Sequence, residues 1–297
     1  MAQWTTFVGF VGVILGLLLA LTHASKAIFE DASGSSTDSA GRTPSSEPAD
    51  QPTGIRDQPA ENADQPTLSG NGAPLPTDSS TRTVDGLAVE DEEGYKSTPA
   101  TGPELSTPAL LANVTVSQGL FAVLLVTLAW YTEIPAWAFG LAPESFALSG
   151  VATGIAVGSI LYILNEAAAT VCRQWGFETP TGLREALAPE TAAGWAVLLV
   201  IVLPIIAGFE ELLFRGALIG VIYAGFEVPL WLLAVGSSVT FALGHGAQGR
   251  LGIVVTGLLG LGLAAVFVRT GSLVVVIVAH YVINVLEFVV HEGIEPT

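Results

Sequence analysis

The chain of 297 residues is poor in charge, and the charge it has is mostly of one sign. Only 12% of its residues are Asp, Glu, Lys or Arg, about half the share usual in soluble globular domains. Ten basic residues stand against 27 acidic ones, for a net charge of −17. A phosphate backbone needs a basic face to bind to, so nucleic acid is excluded as a partner. Cys172 is the single cysteine, which excludes an internal disulfide and a cysteine-rich zinc site. No Lys or Arg precedes the first apolar run, Trp4 to Ala24. A secretory signal needs a basic n-region there, so the run reads as a retained membrane anchor, although Thr22 to Ser25 loosely resemble a small-residue cleavage site.

What the chain has in quantity is apolar side chain. Hydrophobic residues make up 51% and the mean hydropathy is +0.60. The acids are segregated from it, 15 of the 27 lying between Glu30 and Glu104. Residues 29–108 are rich in Ser, Thr, Pro, Asp and Glu and cannot bury enough apolar surface to offset ordering entropy, so a disordered acidic linker is expected there. The expected organisation is an anchor at 1–28, this linker, and a multi-pass membrane domain at 109–297. The fold class is all-α, a polytopic transmembrane helix bundle in the cell membrane. Helices are expected near Val116–Tyr131, Phe146–Val171, Trp195–Tyr223, Pro229–His245, Leu251–Val268 and Leu273–Val290. The third is long enough to be two helices joined near Pro204 or Gly208. Gly150, Gly154 and Gly158 line one helix face, a small-xxx-small pattern that admits a second helix at close range. If every run crosses once, Lys26, Arg173, Arg184 and Arg250 share one side. The positive-inside rule makes that side cytoplasmic; Arg269 falls opposite.

Ionisable groups at mid-membrane cost roughly 2.5–3.5 kcal/mol each on insertion scales, which makes them functional candidates. Three clusters qualify. In Glu210-Glu211-Leu212-Leu213-Phe214-Arg215, Glu211 and Arg215 are four apart and can pair on a helix face. Glu210 points about 100° away, free to face a cavity as a general base. The plainer reading is an ion-pair knot between helices. In Phe241-Ala242-Leu243-Gly244-His245-Gly246, a lone histidine ends an apolar helix. Its glycines permit close approach, yet a satisfied structural histidine would look the same. In His280-Tyr281-Val282-Ile283-Asn284, His280 and Asn284 share a face. They suit a helix–helix hydrogen bond, or a base or ligand beside an oxyanion donor.

Glu210-Glu211-x-x-x-Arg215, Phe241-x-x-x-His245 and His280-x-x-x-Asn284, in this order on successive apolar helices, resemble the CPBP (Abi) family, which includes the type II CAAX prenyl endopeptidases. The resemblance covers about Trp195 to Phe288, and the anchor and linker lie outside it. It implies an intramembrane endopeptidase in which Glu210 activates a water for attack on a peptide carbonyl, with His245 assisting. By the same resemblance His280 and Asn284 stabilise the oxyanion, and Glu211, Arg215 and Phe241 support the site. The implied partners are the lipid bilayer and a membrane-associated or lipid-modified protein or peptide. The cofactor expectation is none or Zn²⁺, the metal then being held by Glu210, His245 and His280. The reading leans to no metal, because the His-Glu-x-x-His pattern is absent, Asn is a poor zinc ligand and Glu210 suffices as base. The alternative function is a non-catalytic scaffold or bacteriocin-immunity-type protein of the same fold. A transporter or proton relay ranks last, since it requires a continuous polar path and little polar material is visible beyond the three clusters.

Overall fold

Backbone amides that enter a bilayer must be hydrogen-bonded within the protein, which confines a chain of this composition to helices or a closed barrel. A computed structural model takes the helical form and describes residues 1–38, 106–176, 182–246 and 249–294, with no strand among them. The acidic tract at 39–105 lies outside the described residues, and with it almost all of the expected linker.

We number the helices in chain order: α1 Trp4–Asp38, α2 Thr107–Tyr131, α3 Leu148–Gln174, the short α4 Gly182–Leu187, α5 Ala192–Phe226, α6 Leu230–Gly244, α7 Gly249–Thr270 and α8 Leu273–Phe288. Six segments are long and apolar enough to cross a membrane: Trp4–His23, Thr107–Tyr131, Leu148–Gln174, Ala192–Phe226, Gly249–Thr270 and Leu273–Gly293. The chain is a multi-pass membrane protein. Two boundaries differ from the sequence reading. Helix α2 begins at Thr107 rather than near Val116, with Pro108 in its first turn, where its missing N–H costs nothing. Helix α1 continues to Asp38.

The larger difference is at α5, which is one continuous helix with no joint at Pro204 or Gly208. Leu198–Val202 and Leu212–Val221 are wound as π-helix. Proline inside a helix removes one hydrogen bond and its ring clashes with the carbonyl four residues back. The wider turn immediately before Pro204 relieves that clash without a break. Carbonyls in the π stretches find side-chain donors: the Tyr281 hydroxyl donates to Leu199 O at 3.1 Å, and Ser237 Oγ donates to Phe214 O at 2.6 Å.

Contacts between helix ends show which ends lie together. At one end Gln3 N donates to Thr132 O at 2.9 Å and Leu273 N to Gly140 O at 3.0 Å. At the other, Thr22 Oγ1 lies 3.3 Å from Gly244 O, and Arg184 reaches Glu287 and Glu292 on the α8 side. Helix α1 is part of this bundle, with Phe7 0%, Val11 2% and Ile14 6% exposed.

The glycines of α3 do what their spacing indicates. A Cβ at Gly154 would lie 2.7 Å from Val278 Cβ, and one at Gly158 would lie 2.6 Å from Ala279 O. Backbone cannot move aside as a side-chain end can, so α3 presses on α8 at the turn that carries His280. Gly158→Leu is expected to destabilise the protein by about 1–3 kcal/mol, the usual cost of overpacking. Thermal unfolding in detergent measures it, and an unchanged midpoint would refute the contact.

Candidate active site

Glu210 and Glu211 come from α5, His245 from the C-terminus of α6, and His280 and Asn284 from α8. Phe241 occupies the centre. It is 2% exposed, its ring meets Phe214 edge-on at 5.0 Å and lies 4.5 Å from the His245 ring, and the Arg215 guanidinium carbon sits 4.7 Å from its centroid. Such a placement is a cation–π contact shielded from solvent.

Glu211 and Arg215 are both 0% exposed and pair as their spacing implies, Arg215 Nη1 donating to Glu211 Oε1 at 2.8 Å. Arg215 Nη2 donates to Gly260 O at 2.8 Å, which ties α5 to α7. A Cβ at Gly260 would lie 2.9 Å from Phe241 and 3.4 Å from Arg215 Nη2, so glycine is what lets α7 approach. The sequence did not reveal a second partner of Glu211: His280 Nδ1 lies 2.7 Å from the same Oε1.

Glu210 is arranged differently. It is 7% exposed, with Oε1 3.9 Å from His245 Nε2 and Oε2 3.7 Å from His280 Nε2. Both separations exceed a hydrogen bond. Glu210 Oε2, Glu211 Oε2 and Arg215 Nε are buried with no hydrogen-bond partner. The two imidazoles have defined tautomers. His245 Nδ1 is 2.8 Å from Phe241 O, and His280 Nδ1 faces the Arg-paired Glu211 carboxylate. A carbonyl and an ionised carboxylate only accept, so each ring carries its hydrogen on Nδ1 and turns Nε2 toward Glu210. Two carboxylates against one guanidinium leave a formal surplus of one negative charge.

The structure therefore brings Glu210, His245 and His280 together from three helices. Asn284 lies one turn beyond His280, half-buried, and its amide has no hydrogen-bond partner among the described residues. Two clefts open elsewhere. An apolar one of about 470 Å³ lies between α1 and α2, lined by Phe10, Leu17, Phe121 and Leu128, and one of about 640 Å³ is lined by Leu111, Pro189, Glu190 and Thr191. Neither is lined by Glu210.

Zinc was the open cofactor expectation. The donor types suit it, and the Glu211 contact to His280 is the kind that orients a ligating imidazole. Glu210 faces both rings, but the three ligating atoms do not all come within 4.8 Å of one another. Among the described residues the trio with all ligating atoms within 4.8 Å of one another is Glu166, Glu287 and His291, not Glu210, His245 and His280.

Sequence reading also missed that second polar cluster. Glu287 Oε1 accepts from Asn165 Nδ2 at 2.7 Å, Arg184 Nη1 donates to Glu287 Oε2 at 3.3 Å, and His291 Nε2 lies 3.1 Å from Glu166 Oε1. Its signal in the sequence was His280, Asn284, Glu287 and His291 spaced four, three and four apart.

Residues 192–286 match the family model described as type II CAAX prenyl endopeptidase Rce1-like. No curated protein and no solved structure matches the chain.

Proposed function

With an Rce1-like domain at residues 192–286 as premise, we propose that the chain is an intramembrane endopeptidase in which Glu210 is the base that activates water. The observation that carries this reading is the Glu210 carboxylate facing Nε2 of both His245 and His280 at 3.9 and 3.7 Å, with one of its oxygens buried and unpartnered. Separations of this size suit groups that share a water rather than bond directly.

Glu210 takes a proton from that water as the oxygen attacks the peptide carbonyl carbon. The proton reaches Nε2 of a neighbouring imidazole and then the leaving amine, so one water yields one amine and one carboxyl group. The Asn284 amide is uncommitted, and it donates to the oxyanion of the tetrahedral intermediate. The Glu211 carboxylate, 2.7 Å from His280 Nδ1, holds that ring in place beside it. The substrate is a membrane-associated protein or peptide, including the lipid-modified C-termini that the family description names.

The test is the full chain in liposomes with a panel of lipid-modified and unmodified membrane peptides. Cleavage is expected, and it should persist unchanged after chelator treatment and dialysis. Activity lost to the chelator and restored by zinc would overturn the metal-free mechanism. A parent protein that cleaves nothing on the panel would favour the scaffold reading.

A further inference from the structure

Helix α8 carries more polar chemistry than the proposed hydrolysis uses. At 100° per residue, His280, Asn284, Glu287 and His291 fall within about 60° of arc, and the row rises about 16 Å along the axis. The last of them sits in the π turns Val289–Ile294 that continue the helix. The upper end of this row is the buried site, where Glu210 Oε2 and Glu211 Oε2 lack partners. The lower end is partly open to solvent. The side chains of Glu287, His291 and Glu166 are 22%, 20% and 27% exposed.

Three elements contribute polar groups to the lower end, and Trp195 of α5 packs beside Gly293 there. Asn165 and Glu166 come from α3, Arg184 from α4, and Glu287, His291 and Glu292 from α8 and its continuation, with Arg184 Nε bonded to Glu292 Oε1 at 2.7 Å. Three carboxylates face one guanidinium and the His291 imidazole, a cluster of polar groups that hydration favours at a membrane boundary. Arg184 already holds Glu287 Oε2 at 3.3 Å, so the cluster is an ion-pair network rather than a vacant cation site. Asn284 stands between the two ends, with an amide that can both donate to water and accept from it.

Hydrolysis consumes a water for each bond cut, and the lipid-facing surface supplies none. We infer that the His280–Asn284–Glu287–His291 face is the path by which water and protons pass between the membrane surface and Glu210, with Glu166, Glu287 and His291 at its mouth. The need for water rests on the hydrolytic reading; the path itself rests on the spacing and the contacts.

Deuterium exchange at histidine C2–H, read by mass spectrometry on the full chain in lipid nanodiscs, tests the path independently of catalysis. His280 should exchange in the parent, slow roughly tenfold in Glu287→Leu and in His291→Leu, and recover in Glu287→Gln, which keeps a polar group and the Asn165 contact. His245, whose side chain is 25% exposed, has its own access and should exchange alike in all four proteins. Equal exchange at His280 throughout would overturn the inference, as would parallel slowing at His245, which marks a global change. If the exchange pattern appears but the parent cleaves no peptide, the path stands and the protease reading fails. Cleavage with no such pattern means the reverse.

Discussion

Glu210→Gln is expected to reduce peptide cleavage about 100- to 10,000-fold, the usual contribution of a positioned base, while leaving the protein at least as stable as the parent. The two halves of this expectation have one origin. Glu210 is buried, makes no ion pair shorter than 3.7 Å, and leaves one oxygen unbonded. Its carboxylate makes no close pair in the resting protein. A glutamine keeps the shape, removes the surplus negative charge, and cannot take a proton from water. Cleavage in liposomes and thermal unfolding in detergent, measured on the same preparation, check both halves. A variant that cuts normally would remove Glu210 from the mechanism. One that fails to fold would mean that the carboxylate is structural after all.

Arg215→Ala should behave in the opposite way and lower stability by about 3–5 kcal/mol, the cost of leaving one partner of a buried ion pair alone. Arg215 is 0% exposed, and its removal strands the Glu211 carboxylate, frees the Gly260 carbonyl that it holds at 2.8 Å, and uncovers the face of Phe241. Arg215→Lys keeps the charge but cannot span both acceptors as a planar fork does, so its loss should be intermediate. The unfolding midpoint orders the three proteins, and equal midpoints would refute the account. Loss of activity in these variants would follow loss of structure, whereas Glu210→Gln separates the two.

Much of this was legible in the chain itself. Apolar runs placed the long helices, leaving open only whether Trp195–Tyr223 was one or two, and the four-residue spacing of Glu211 and Arg215 announced their pairing. The glycine row of α3 announced its contact with a neighbour. Other parts were not legible, for definable reasons. The π stretches of α5 keep the apolar pattern of an ordinary helix, so only the hydrogen-bond register reveals them, and Pro204 looked like a joint. The His280 contact to Glu211 spans 69 residues of sequence, and no local period encodes a pairing of that kind. The α8 polar row was visible as spacing, but Glu287 and His291 lie where a helix end would normally meet water. Only the contacts to Glu166 and Arg184 show them turned inward.

Helix α1 has a practical consequence for anyone isolating the part of the protein that matches the family. The family match begins at residue 192, yet Phe7 and Val11 are sealed among side chains that include Phe139 and Val221. A fragment starting at the match would lack α1, α2 and α3 together, leave the α3-facing side of α8 bare to detergent, and should be recovered as aggregate. Supplying residues 1–191 as a separate polypeptide should return it to solution.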